Sequence, residues 1–200
     1  MAFTAVQRTW LATAGFSVCA ESPPLPSYNS AQAYPGNKRT LSSTVTIRKA
    51  VSTDAPAILD CLRIAFEPYR SSYTAEAFTD TVLTAETIQH RLASMCIFVA
   101  VNEAGNIVGT IGFSVIGGSE GHLRGMAVLP GWQGRGIADR LLQRAEAELG
   151  AGKCSRITLD TTDPLQRAMR FYERHGYRRS GRVTDFSGMP LHEYVKNLTE

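Results

Sequence analysis

The run Gly125-Met126-Ala127-Val128-Leu129-Pro130-Gly131-Trp132-Gln133-Gly134-Arg135-Gly136-Ile137-Ala138 joins an apolar strand end to a glycine-rich turn that opens an amphipathic helix. A strand, a tight turn and a helix must follow one another directly, with the helix laid on a sheet. Glycines at 134 and 136 let the backbone approach an anion closely. The free N–H groups of the first helical turn, carrying roughly +0.5 charge from the macrodipole, point at that anion. The expected ligand is a nucleotide-like cofactor.

Spacing narrows the choice. A P-loop needs G-x-x-x-x-G-K-[ST], but Gly136 is followed by Ile137-Ala138-Asp139, and the dinucleotide fingerprint G-x-G-x-x-G would put a small residue where Asp139 stands. Gln133-x-x-Gly136-x-Ala138 instead matches Q/R-x-x-G-x-G/A, the signature of the GNAT superfamily of N-acetyltransferases. The segment Ala168-Met169-Arg170-Phe171-Tyr172-Glu173-Arg174-His175-Gly176-Tyr177 resembles the family's second signature, A-x-x-x-Y-x-x-x-G-F/Y, about thirty residues downstream. The chain thus resembles that superfamily over roughly residues 44 to 198. One departure is Leu165, where the family commonly has asparagine three residues before Ala168; the polar contact is then missing or moved to Asp163 or Gln166.

Composition fits one globular domain. Of 200 residues 44% are hydrophobic, enough for one sizeable core, and the net charge of +3 is modest. The arginines are scattered rather than gathered with aromatics, so nucleic acid is not an expected partner. Cys19, Cys61, Cys96 and Cys154 lie far apart without C-x-x-C or histidine at zinc spacing, so neither a metal site nor a disulfide framework is expected. No apolar run reaches the length of a membrane span.

Residues 1–43 form a separate, proline- and serine-punctuated extension with Glu21 as its only acid, expected to be mostly disordered, and residues 44–200 form the domain. The weakly apolar stretch Trp10 to Ala20 behind Arg8 leaves organelle targeting and export open beside a dispensable extension. Because acetyl-CoA is an intracellular metabolite, the expected location is the cytoplasm.

Periodicity gives the element order. Val45 to Arg48 alternates as a strand; Asp54 and Pro56 open a helix that buries Ile58, Leu59, Leu62 and Phe66; a second helical region runs from Thr74 to Ser94. Cys96 to Val101 and Ile107 to Val115 flank a turn at Asn102 to Asn106, and His122 to Val128 leads into the glycine loop. The next helix buries Ile137, Leu141, Leu142, Ala145 and Leu149. Arg156 to Thr161 is a strand, Pro164 to His175 a helix closed by Gly176, and Tyr177 to Val183 with Leu191 to Leu198 a terminal strand pair. The class is mixed α/β. The resemblance implies a mostly antiparallel central sheet flanked by helices, with splayed central strands holding the coenzyme.

The resemblance also implies roles. Acetyl-CoA would be the cosubstrate, its pantetheine arm paired with the backbone of Met126, Ala127 and Val128 and its pyrophosphate held by the N–H groups of Gln133, Gly134, Arg135, Gly136, Ile137 and Ala138. Arg135 either adds charge to a phosphate or faces water. Acetyl transfer to an amine needs a neutral nucleophile, donors for the developing oxyanion and a proton for the departing thiolate. The strand N–H near Val128 suits the oxyanion. Tyr172 matches the family's tyrosine beside the coenzyme sulfur and shares a buried face with Leu165, Ala168 and Met169, so it is the expected general acid. Glu120 and His122 are the candidate bases; His122 also shares a face with Arg124, which leaves holding an acceptor's carboxylate as an alternative role.

The expected acceptor is a small-molecule amine rather than a protein, met by Phe66-Glu67-Pro68-Tyr69, Tyr73, Phe78 and the segment Asp185-Phe186-Ser187-Gly188-Met189. A homodimer stays open. The rival reading is a non-catalytic module that binds acetyl-CoA as a regulatory ligand.

Overall fold

Among the described residues, seven strands arise where β-branched and aromatic residues alternate or run together: β1 Val45–Lys49, β2 Cys96–Asn102, β3 Ile107–Ile116, β4 Glu120–Val128, β5 Arg156–Thr162, β6 Arg178–Phe186 and β7 Met189–Asn197. The computed structural model describes residues 44–198, so the expectations for the extension and for Cys19 lie outside the described residues. The strands form one sheet in the order β1-β2-β3-β4-β5-β7-β6. Every pair is antiparallel except β4 with β5. A parallel pair needs a crossover, and the helix opened by the glycine loop supplies it.

The helices are α1 Ala55–Phe66, α2 Ala75–Val82, α3 Ala85–Ser94, α4 Ile137–Ala151 and α5 Gln166–Arg174. The helical region expected over Thr74 to Ser94 is two helices. Leu83 ends the first with φ at +66°, and Thr84 caps the second by accepting from the Thr87 N–H at 3.2 Å. Thr84-x-x-Thr87 is a local cap that an uninterrupted reading of periodicity passes over. A short 3-10 turn over Glu67–Ser72 extends α1, and another over Asp163–Leu165 precedes α5.

Each face of the sheet carries its own core. Leu141, Leu142, Ala145 and Leu149 of α4 pack on Phe98, Ile111, Leu123 and Ile157. On the other face Ile58, Leu62 and Ile88 of α1 and α3 cover Ile97, Val99 and Ala127. Gly121 marks how closely α4 approaches: a Cβ there would lie 2.6 Å from Leu149 Cδ1, and Leu149 is fully buried. Gly121→Ala is therefore expected to destabilise the fold by about 1–3 kcal/mol through overpacking. Urea or thermal denaturation checks this, and an unchanged midpoint would mean that α4 shifts without cost.

The sheet is interrupted where β4 meets β5. The two strands pair only from Glu120↔Arg156 to Leu123↔Leu159, after which β4 continues to Val128 and β5 to Thr162 without pairing to each other. The cause is a bulge. Thr110 opposes Ala127 and Gly112 opposes Arg124, so Ile111 faces both Gly125 and Met126, and Gly125 takes φ +64°. A bulge bends its strand and increases the local twist. β5 meanwhile keeps β7 as its partner along its whole length. The sheet thus opens at its middle.

Candidate active site

A cleft of about 450 Å³ fills the opening between the parted ends of β4 and β5. Its walls are β4 from His122 to Val128, the glycine loop, the start of α4, β5 from Leu159 to Thr162, and α5 with Tyr172. This is the size and the topological position expected of a ligand site in an open sheet.

The glycine loop forms one end. Gly134 and Gly136 take φ +77° and +72°, and a Cβ on either would meet nothing within 4 Å, so the space before the loop is open. Gly136 is the N-cap of α4, whose first intrahelical bond is Arg140 N–H to the Gly136 carbonyl. The N–H groups of Ile137, Ala138 and Asp139 lie ahead of that bond and carry the positive end of a helix of fifteen residues. This arrangement suits a pyrophosphate.

The side chains of the loop have other work. Gln133 donates from Nε2 to the Val128 carbonyl at 3.0 Å and accepts at Oε1 from Arg167 at 2.6 Å, bracing the loop between β4 and α5. The Arg135 guanidinium lies 4.8 Å from the Trp132 ring centroid, and the residue is not part of the cleft wall. Asp139 lines the cleft beside the loop and lies 3.1 Å from His175 Nε2. Asp163 accepts from His192 Nε2 at 2.9 Å, beside the position where Leu165 departs from the signature.

The bulge decides which way β4 presents its residues. It reverses the alternation, so Met126 packs with the α4 and α5 side while Ala127 joins the α1 side. Tyr172 of α5 donates its hydroxyl hydrogen to Met126 Sδ at 3.2 Å, which brings a buried phenol to the cleft wall beside Met126 and Val128. Burial pushes that phenol well above the usual tyrosine range, so it keeps its proton throughout the neutral range.

On the opposite side His122 is buried, with Nδ1 3.0 Å from Thr158 Oγ1 on β5 and Nε2 3.7 Å from Asp160 Oδ2. Thr158 has one hydroxyl proton. The Glu120 carboxylate accepts it at 3.0 Å, whereas the Gly121 carbonyl lies at 3.4 Å, so the carboxylate is the stronger claimant. The Thr158 oxygen then accepts from His122 Nδ1–H, which sets the tautomer and turns the Nε2 lone pair toward Asp160. Burial, with Arg124 adding to it, pulls the imidazole down to about 3. Desolvation, helped by Glu193, pushes the Asp160 carboxyl up to about 6, although its side chain keeps 33% exposure.

Of the residues singled out from the sequence, Met126, Ala127, Val128, Gln133, Gly134, Gly136, Ile137, Ala138, His122 and Tyr172 meet around the cleft. Glu120 does not line it; it stands behind Thr158 and pairs with Arg156 at 3.4 Å. Asp160 and Thr158 were not singled out. The signal available was a carboxylate on the strand neighbouring the glycine-loop strand, but its register against His122 appears only once β5 is placed. Of the aromatic residues expected near the acceptor, Phe66, Tyr69, Tyr73 and Phe186 line the far side, whereas Phe78 stands behind Tyr73 and does not; Tyr73 bonds through its hydroxyl to Thr162.

The family model described as the acetyltransferase (GNAT) family matches residues 58–177, from within α1 to the residue after Gly176. The chain belongs to the GNAT acetyltransferase family. Solved structures with the same fold include a GNAT acetyltransferase from Staphylococcus aureus, at 21% identity and a TM-score of 0.64 over 78% of this chain and 100% of that one. The PaiA N-acetyltransferase from Thermoplasma acidophilum, solved in complex with coenzyme A, matches at 17% identity and a TM-score of 0.64 over 75% of this chain and 98% of that one. An acetyltransferase from Streptococcus agalactiae matches at 22% identity and a TM-score of 0.62 over 77% and 98% of the two chains. The family uses acetyl-CoA as donor, and in this GNAT acetyltransferase the open glycine loop at the head of α4 fits its pyrophosphate.

Proposed function

We propose that the protein transfers an acetyl group from acetyl-CoA to the primary amine of a small molecule by direct attack on the thioester. The observation that carries this reading is the cleft itself, with an anion cradle at one end, Tyr172 on one wall and the His122–Asp160 pair on the other. When bound, acetyl-CoA supplies the acetyl group as an activated thioester.

The remaining work falls to this chain's residues. Gly134, Gly136, Ile137 and Ala138 hold the phosphates through backbone N–H groups. Met126, Ala127 and Val128 orient the arm along the unpaired edge of β4, and a strand N–H near Val128 donates to the oxygen on which charge develops. Asp160, with a carboxyl near 6, removes the amine's proton in concert with the neutral His122 beside it. Glu120 acts as a positioning residue that fixes His122 through Thr158. Tyr172 donates to the departing sulfur. Burial keeps the phenol protonated at neutral pH, so its proton is available as the sulfur departs.

Ligand linkage tests the coenzyme site. Acetyl-CoA is expected to raise the melting temperature while NAD and ATP do not, because binding to the native state alone stabilises it by mass action. Gly136→Asp should abolish the shift, since φ +72° and a carboxylate facing the phosphates are both unfavourable. A full shift in that variant would place the coenzyme elsewhere.

A further inference from the structure

Arg124 follows His122 by two residues on β4, so both side chains lie on one face, about 7 Å apart along the strand. Its Nη2 holds Asp80 Oδ2 of α2 at 2.6 Å. A second guanidinium reaches the same wall from α3: a Cβ on Gly125 would come within 3.1 Å of Arg91 Nη1. That Nη1 is buried and has no hydrogen-bond partner among the described residues. Arg91, Arg124 and Asp80 all line the cleft. The wall thus gathers two guanidinium groups around one carboxylate.

We propose that Arg124 and Arg91 form a carboxylate site for the acceptor, which makes the acceptor an amino acid or a closely similar amine bearing a carboxylate a few atoms from its nitrogen. This rests on the amine-acetylation reading and names its substrate class. The charges support it. Burial, followed by the neighbouring Arg124 charge, draws the Arg91 guanidinium down to about 9, so it stays cationic at neutral pH and its repulsion with Arg124 is only partly offset by Asp80. A ligand carboxylate relieves that repulsion through charge-assisted bonds. Across the gap from Arg124, at the next position after the Leu123↔Leu159 pair, Asp160 of β5 lies 3.7 Å from His122 Nε2 and presents a carboxylate to the ammonium end. A zwitterion laid across the gap from β4 to β5 meets a cationic wall at its carboxylate and an anionic one at its nitrogen. Phe66, Tyr69 and Phe186 remain for its side chain.

The test is thiol release from acetyl-CoA with a panel of α-amino acids, each compared with its carboxamide and its decarboxylated amine. In parallel, thermal shifts of the coenzyme A complex are recorded with the same compounds. The expected result is a 10- to 100-fold higher kcat/KM for the carboxylate of at least one trio. Arg124→Gln should collapse that preference to under about 3-fold while acetyl-CoA still stabilises the variant, and Arg124→Lys should keep an intermediate preference, charge without the fork. If the amides and decarboxylated amines are turned over as well as the acids, the carboxylate site is wrong and acetylation of amines stands. Arg91 would then be a brace for the bulge, hydrated by one water in the void of about 10 Å³ beside it. If no amine releases thiol but amino acids alone shift the complex, and Arg124→Gln removes that shift, the carboxylate site stands and the reaction is misassigned. The absence of both turnover and a carboxylate-specific shift would overturn the proposal.

Discussion

Replacing Tyr172 by phenylalanine is expected to lower kcat about 10²-fold while the affinity for acetyl-CoA holds, the usual scale for one positioned acid. The ring makes edge-to-face contacts with Phe171 and Tyr177, at centroid distances of 5.4 and 5.6 Å, and phenylalanine keeps them. Only the hydroxyl that points at Met126 Sδ is lost. Because that hydroxyl stays protonated across the neutral range, the drop should be the same at pH 6 and at pH 9. Steady-state thiol release at both pH values checks this. Wild-type turnover in the variant would remove Tyr172 from the reaction and leave it as a core tyrosine.

Asp160→Asn is expected to cost about as much at neutral pH and also to reshape the pH profile. In the wild type, kcat/KM should rise as pH passes through about 6, because the carboxyl must lose its proton before it can accept one from the amine. The variant should lack that limb, its rate rising only as the amine itself deprotonates, near 8 for an α-amine and near 10.4 for a lysine-like one. The sign of the stability change separates this from unfolding. A carboxyl raised to about 6 in the folded state loses stability as pH rises from the ordinary aspartate range to about 6 and carries the full cost above that, so Asp160→Asn should be no less stable than wild type at pH 7. Glu120→Gln keeps an acceptor for Thr158 and should leave the limb near pH 6 in place. Loss of the limb in Glu120→Gln and its survival in Asp160→Asn would return the base role to Glu120.

The glycine loop, the helix it opens and the second signature were legible in the sequence because each is a local device. Gly134 and Gly136 have the left-handed backbone that only glycine adopts without strain, and Ile137, Leu141, Leu142, Ala145 and Leu149 form the buried stripe of α4. The placement of Tyr172 followed from the same kind of spacing. What escaped depends on partners far apart in the chain. The break between α2 and α3 rests on Leu83 and a threonine cap, which period alone does not register. The His122–Asp160 pair and the Arg91–Arg124–Asp80 cluster exist because β4 bulges at Gly125 and parts from β5 after Leu123. The sequence assigns Arg135 through its backbone N–H and Glu120 by its place at the start of the central strand, and neither assignment fixes where the side chain goes. Stacking on Trp132 and a bond to Thr158 turn the two side chains away from the cleft.

Mass spectrometry of an amine incubated with acetyl-CoA and the protein, read together with thiol release, addresses the central claim most directly. The amine is expected to gain one acetyl group on nitrogen for each thiol released, and Gly136→Asp to abolish both signals. Thiol release without an acetylated amine, or acetylation undiminished in Gly136→Asp, would contradict it.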